Sequence, residues 1–192
     1  KVKVTLSESM NYIGTSAEKA FTISKATYNM DNIKFENATY TYDGTEKKVE
    51  ITGTLPTGVS VNYQNNKATN AGEYNAVAIF SGDSTNYNTI SNKTAKLTIN
   101  KAQGTIQKNS ALDKIYDGEA VSIDENYNIT GDGEISVYWY MLNGDSETEI
   151  DDAPINVGRY KVKISLANGD NYKGTELEDN FDEMIYYNSR KN

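Results

Sequence analysis

Along most of this chain apolar and polar residues alternate one for one, the period of a half-buried β-strand. Val59-Ser60-Val61-Asn62-Tyr63 alternates and is closed by the turn residues Asn65-Asn66. Glu73 to Phe80 is the longest such run and stops at Gly82-Asp83, and Ala95 to Ile99 follows it. Asn32 to Asn37 and Lys48 to Gly53 show the same period. Further on, Ile135 to Tyr140 and Tyr160 to Leu166 are the best strands. No helix-length segment carries a 3.6-residue period, and Thr15 to Ala20 reads as one helical turn at most. Short strands punctuated by Asn, Asp and Gly predict an all-β protein of sandwich or barrel type.

Four signals recur in order along the chain. Tyr42-Asp43-Gly44 returns 74 positions later as Tyr116-Asp117-Gly118. Asn70-Ala71-Gly72-Glu73-Tyr74 returns 86 positions later as Asn156-Val157-Gly158-Arg159-Tyr160. Asn11-Tyr12, Asn86-Tyr87 and Asn171-Tyr172 are spaced by 75 and 85 positions. Ile23-Ser24-Lys25-Ala26 reappears as Ile99-Asn100-Lys101-Ala102. Each dipeptide is weak by itself; ordered recurrence at one period is the mark of a repeat architecture. The periodicity implies one complete unit over 27–102 and a second, divergent one over 103–192. The second is lengthened by an insert at Asn143 to Asp152. Residues 1–26 correspond to the last part of a preceding unit. The chain opens at Lys1 inside a strand-like stretch without a signal peptide, anchor or start Met, the pattern of a fragment of something longer.

These residues carry a family resemblance. Thr41 to Lys47, Gly53-Thr54-Leu55-Pro56-Thr57-Gly58-Val59, Thr69 to Tyr74, Asp83 through Asn86-Tyr87, and Leu97 to Ala102 together resemble a bacterial YDG/MBG-type repeat. In the second unit Tyr116-Asp117-Gly118 and Asn156 to Tyr160 match, whereas the Thr-Ile-x-Lys-Ala ending is replaced by Asp182 to Tyr187. The resemblance implies tandem immunoglobulin-like β-sandwich modules of exported surface proteins, mostly of Gram-positive bacteria, with small β-grasp-like modules as the alternative. It implies no catalytic residues. The motif residues Tyr42, Asp43, Gly44, Gly72, Tyr74, Tyr116, Asp117, Gly118, Gly158 and Tyr160 are expected to be structural. Asp bonds the backbone two residues on, Gly accepts unusual φ, and a strand-opening Tyr resembles the tyrosine corner of Greek-key sandwiches.

Composition narrows the chemistry. The chain has 192 residues, with 27 acidic and 19 basic, a net charge of −8, and neither Cys nor His. That alphabet builds no disulfide framework, thiol nucleophile or His-based triad. A nucleic-acid-tracking surface would need a basic face, and no run of about 18 apolar residues spans a membrane. The carboxylates at Asp145, Glu147 and Glu149, at Asp151-Asp152, and at Glu176 with Glu178 read as solvated faces, so an enzyme is not expected. No cofactor is expected. Calcium is the weak alternative, with Asp83 and Asp170 in corresponding turns, against plain Asx turns. Trp139 is expected in the core, leaving Tyr138 and Tyr140 on the opposite face as a sugar-stacking surface. The function this points to is a spacer within a stalk on the cell surface, associated with the cell wall, whose partners are neighbouring repeats. The alternative is an adhesive module recognising glycan or host protein through the insert and the Tyr138–Tyr140 face.

Overall fold

The computed structural model of the chain describes residues 1–184. In order, its strands are β1 (Val2–Leu6), β2 (Thr15–Lys19), β3 (Ala38–Thr41), β4 (Lys47–Lys48), β5 (Ser60–Gln64) and β6 (Lys67–Ala68). Then follow β7 (Gly72–Ser81), β8 (Lys93–Asn100), β9 (Ala102–Gln103), β10 (Thr105–Lys108), β11 (Lys114–Ile115) and β12 (Tyr127–Thr130). The last five are β13 (Ile135–Asn143), β14 (Ser146–Ile150), β15 (Gly158–Leu166), β16 (Tyr172–Lys173) and β17 (Thr175–Met184). No helix occurs among the described residues, and the fold is all-β.

The two larger sheets share one plan. The first has the order β3-β8-β7-β5, with β5 antiparallel to β7 and β3 parallel to β8. The second has the order β11-β17-β15-β13-β14, again with a parallel edge strand, β11, beside the last one. Parallel neighbours need a long crossover, and here the crossover is the body of the repeat itself. In both repeats a backbone N–H extends the parallel pairing into the Tyr-Asp-Gly turn. Tyr42 N–H donates to Asn100 O at 2.8 Å, and Tyr116 N–H donates to Met184 O at 2.8 Å.

By density of internal contacts the chain divides into two units. One comprises residues 1–36, 50–64 and 77–94, the other 37–49, 65–76 and 95–192. The boundary cuts across β7 and β8. The core of the first unit is Ile33, Ala78 and Phe80, with Phe35 tilted on Tyr63 at 5.9 Å. Its β1–β2 hairpin is antiparallel and exposed, with Val2, Val4 and Leu6 all facing water. Lys1-Val2-Lys3-Val4-Thr5-Leu6 lies 160 positions before Lys161-Val162-Lys163-Ile164-Ser165-Leu166, a likeness the dipeptide signals do not reveal. Val162, Ile164 and Leu166 are fully buried, so the same apolar row is core in one place and surface in the other.

The core of the second unit is two-layered. Ile106, Tyr127 and Ile129 of the β10–β12 pair cover Trp139, Val162, Ile164 and Phe181 on the five-stranded sheet. Trp139 meets Phe181 edge-on at 5.9 Å, and Phe181 stacks on Tyr160 at 5.7 Å. Burial alternates along β15 because successive side chains of a strand point to opposite faces.

Three expectations change. Thr15 to Ala20 is no helical turn: Thr15–Lys19 is a strand, held in register by Val2↔Lys19 through Leu6↔Thr15. Partner backbone supplies what its own weak pattern lacks. Asn32 to Asn37 and Lys48 to Gly53, both expected as strands, meet only in a single bridge, Lys34↔Thr52, with Lys48 alone of them in a strand, β4. The insert after Asn143 is a hairpin and adds a fifth strand, β14, turning at Gly144 with φ 62°. Of the divergent ending, β17 reaches Met184; Ile185, Tyr186 and Tyr187 lie outside the described residues.

Trp139 is the single tryptophan, so its fluorescence reports on the second repeat. Phe181→Ala is expected to cost about 3–5 kcal/mol, seen as a lower urea midpoint by Trp139 emission. An unchanged midpoint would show that Phe181 does not hold this core together.

Candidate functional site

The motif tyrosines occupy two kinds of place. Tyr74 Oη donates to Asn70 O at 2.9 Å, and Tyr160 Oη donates to Asn156 O at 2.8 Å. Both rings fold back over the glycine two residues earlier. A Cβ at Gly72 would lie 3.3 Å from the Tyr74 hydroxyl, and one at Gly158 would lie 3.1 Å from the Tyr160 ring. A side chain at either position would have to push the ring back by a few tenths of an ångström. Each such bond contributes about 0.5–1.5 kcal/mol net.

The Tyr-Asp-Gly turns are built by their carboxylates. Asp43 Oδ1 accepts from Thr45 N–H at 2.9 Å and from Thr45 Oγ1 at 2.6 Å, while Lys47 Nζ donates to Oδ2 at 2.5 Å. The Lys47 ammonium and the Thr45 donors hold the Asp43 carboxyl well below the usual range. Asp117 repeats the turn, accepting from Glu119 N–H at 2.9 Å and pairing with Lys114 at 2.8 Å. Gly44 and Gly118 adopt φ of 78° and 86°, which side chains disfavour.

The other signals meet at the repeat junction. At the end of the first repeat Ala102 N–H donates to Asn171 O, and Gly104 N–H donates to Lys173 O, both at 2.9 Å, as β9 pairs in parallel with β16. Lys101 Nζ caps Gly169 O at 2.6 Å. Ala71 N–H donates to Asn171 Oδ1 at 2.8 Å, and Tyr42 meets Tyr172 edge-on at 5.4 Å. Asp132 steadies this Asn-Tyr loop by accepting from Asn171 N–H at 2.7 Å and Tyr172 N–H at 3.1 Å.

The same clip occurs where residues 1–26 end. Ala26 N–H donates to Asn86 O at 2.9 Å, Asn88 N–H donates to Ala26 O at 2.8 Å, and Lys25 Nζ caps Ser84 O at 2.5 Å. Here Tyr87 stacks on Tyr28 at 4.0 Å. Asp83 holds the loop from within, accepting from Thr85 N–H at 2.8 Å and from Asn86 Nδ2 at 2.7 Å. Those donors lower its carboxyl from the ordinary value. Thus a Lys-Ala pair lies parallel to an Asn-Tyr loop in both places, as the two-residue strand β9 at Ala102 and as a single bridge at Ala26. Sequence reading found both halves of this contact but had no means of pairing them, because they lie 60 and 69 positions apart.

The remaining candidates lie elsewhere. Asp83 forms an Asx turn, and the corresponding Asp170 is not the carboxylate that holds its loop; Asp132 is. No cluster of three or more acidic side chains that could hold a metal ion occurs among the described residues. Tyr138 and Tyr140 lie on the outer face of β13, opposite Lys163 and Lys161. Lys161 sits 4.8 Å from the Tyr140 ring and pairs with Glu147 and Glu178, while Lys163 pairs with Glu176. The face is a charged ladder in which Tyr140 is covered and Tyr138 stays exposed. Asp179 accepts from the Tyr127 hydroxyl and pairs with Lys108, both at 2.5 Å. Burial and that carboxylate push the Tyr127 phenol far up.

Residues 32–103 match the family model described as MBG domain, so this stretch is an MBG-type domain. No curated protein matches the sequence. A solved structure similar to the chain is BT4661, a SusE-like surface-located polysaccharide-binding protein from the Bacteroides thetaiotaomicron heparin utilisation locus. The two are 12% identical, with 82% of this chain and 34% of that one covered, at a TM-score of 0.26. The chain thus spans about a third of that protein's length.

Glu183 is the buried exception on β17. Both carboxylate oxygens lack a hydrogen-bond partner, and the side chain stands on the row that includes Phe181. Burial pushes its carboxyl up, opposed by Lys114 and reinforced by Asp117. Between the ordinary glutamate value of about 4.3 and the raised one, the native state keeps a proton that the unfolded chain has lost. Stability therefore falls as pH rises through that window. Glu183→Gln is expected to stabilise the second repeat at pH 7 and to have little effect near pH 4. A substitution effect that is the same at both pH values would contradict the assignment.

Proposed function

We propose that the chain is a run of non-enzymatic spacer modules from a bacterial cell-surface protein, part of a stalk that presents other domains. Its work is mechanical, and its principal partners are neighbouring repeats of the same polypeptide, outside the cell and associated with the wall. The observation that carries this reading is the recurrence of one clip, Lys-Ala against Asn-Tyr, at Ala26 with Asn86 and at Ala102 with Asn171. Recurrence argues for a device that couples repeats, since the bond from the Ala N–H to the Asn carbonyl and the lysine cap on a loop carbonyl both return. Ala102 leads into Gln103 with no Gly/Ser-rich or Pro-rich spacer, and β9, Gly104 and β10 follow one another directly.

NMR relaxation tests it. The amides of Ala102 to Thr105 are expected to show order parameters of about 0.85, equal to those of β15. Asn171→Ala should loosen them, because it removes the acceptor for Ala71 N–H. Values below about 0.6 in the wild-type chain would describe a hinge and overturn the spacer reading.

A second reading, an adhesive module for glycan or host protein, rests on the exposed Tyr138 ring beside the β13–β14 hairpin. A glycan array comparing wild type with Tyr138→Ala decides between them. Binding that the substitution abolishes would favour adhesion, and an unchanged blank array would favour the spacer.

A further inference from the structure

The tripeptide Asn-Gly-Asp occurs twice in the chain, at Asn143 to Asp145 and at Asn168 to Asp170. Asparagine is a thermolabile residue, and a following glycine exposes its weakness. With no Cβ in the way, the glycine amide nitrogen has a clear approach to the carbonyl carbon of the asparagine side chain. Whether the two meet depends on how the fold uses that amide and that side chain.

The fold treats the two copies differently. Asn143 pairs with Ser146, so Gly144 and Asp145 form the loop of the β13–β14 hairpin. Gly144 takes φ 62° at the first loop position, where tight hairpins favour glycine. A Cβ there would meet no atom within 4 Å, and Asn143 and Gly144 are both exposed. Among the described residues neither the Asn143 side chain nor the Gly144 N–H has a hydrogen-bond partner. Asn168 is tied down on both counts. Its Oδ1 accepts from Gly174 N–H at 2.8 Å, and the Gly169 N–H donates to Tyr172 O at 3.0 Å. Lys101 Nζ caps Gly169 O at 2.6 Å, and a Cβ on Gly169 would overlap the Asp132 side chain.

We propose that Asn143 is a site of spontaneous covalent modification, through a succinimide to aspartate and isoaspartate, and that the fold protects Asn168 from the same reaction. The Gly144 nitrogen bonds to Asn143 Cγ, the Cγ–Nδ2 bond breaks, and Nδ2 leaves as ammonia with the proton the amide has given up. Water then opens the ring. Attack at Cγ leaves aspartate; attack at the former main-chain carbonyl leaves isoaspartate. Nothing is oxidised or reduced, and either product carries a new carboxylate. In isoaspartate the main chain runs through the former side chain and is longer by a methylene. Hairpin register is fixed by the loop, so the pairs from Asn143↔Ser146 to Trp139↔Ile150 lose their template. Of β14 only Ile150 is half-buried, and beyond it the Lys161–Glu147 pair is what still holds the strand. The inference is independent of the spacer reading, although the protected copy is the one beside the Asn171-Tyr172 loop of the junction.

Ageing the full chain in slightly alkaline buffer tests this, read by intact mass and by peptide mapping after digestion at acidic pH. Each conversion adds about one mass unit. Asn143 is expected to convert about tenfold faster than Asn168 or more, the discrimination that two local hydrogen bonds supply. In urea, where the fold no longer distinguishes them, the two sites should convert at similar rates. Asn143→Gln should remove the fast conversion while leaving circular dichroism and Trp139 emission unchanged. The isoaspartate product, separated chromatographically, is expected to show faster amide exchange over Ser146 to Glu149. Equal rates at the two sites of the folded chain overturn the inference. So does a gap that persists in urea, or an Asn143 that stays intact while the urea-treated chain converts. Unchanged exchange over β14 in the isoaspartate product would overturn the link to the hairpin.

Discussion

The structure depends on a backbone pairing only two residues long. Ala102 and Gly104 donate to Asn171 O and Lys173 O, and that short parallel ladder ties residues 102–104 to residues 171–173. Backbone groups removed from water need partners. A strand that ends a repeat would leave its last donors bare, and the Asn-Tyr loop supplies carbonyls at the spacing of a strand. The lysine before the alanine adds a capping bond to a loop carbonyl in both clips. Side chains then fix the alignment: Asn171 takes the N–H of Ala71, and Tyr42 closes on Tyr172.

The clip explains why contact density groups the first repeat's far end with the whole of the second. Residues 37–49, 65–76 and 95–192 form one unit because β9, β16, the Tyr-Asp-Gly turn and the Asn-Ala-Gly turn interlock. It also gives the loops a structural reason to be acidic. Asp83 acts from within its loop and Asp132 from a neighbouring turn, yet both supply carboxylate oxygens to the N–H groups of an Asn-Tyr segment. Two routes to the same loop shape imply that the shape is what matters. Part of the negative charge serves such turns, and another part lies in the ladder of Lys161 and Lys163 with Glu147, Glu176 and Glu178.

Strands with strong alternation were legible in the sequence: β5, β7, β8, β13 and β15 all fall where apolar residues recur at every second position. Short and parallel strands were not. Lys47–Lys48 and Lys114–Ile115 are two-residue strands with no pattern of their own, and they exist because a neighbouring strand offers an edge. Thr15–Lys19 has one apolar residue and is held by the backbone of β1. The insert was visible as extra length, but its hairpin geometry follows from β13 continuing past Tyr140 and offering an edge to Ser146–Ile150. Of the junction, the sequence displayed Lys-Ala, Asn-Tyr, Tyr42 and Ala71 within recurring signals, but not Gly104 or Asp132. What it could not show was that Lys-Ala and Asn-Tyr are two halves of one contact.

By itself, then, the sequence determined the period, the all-β character and the residues that make the turns, because alternation, Asx chemistry and glycine conformations act within a few positions. The tertiary structure alone decided which face of a strand became core. Val2, Val4 and Leu6 are surface and Val162, Ile164 and Leu166 are interior, although the local sequences are nearly the same. Burial depends on whether covering strands are present, here Ile106, Tyr127 and Ile129, and those lie tens of residues away in the chain. The junction follows the same logic. A backbone hydrogen bond carries no residue code, so its partner is chosen by where the fold brings the chain, and only then does the recurrence of Lys-Ala and Asn-Tyr acquire its meaning.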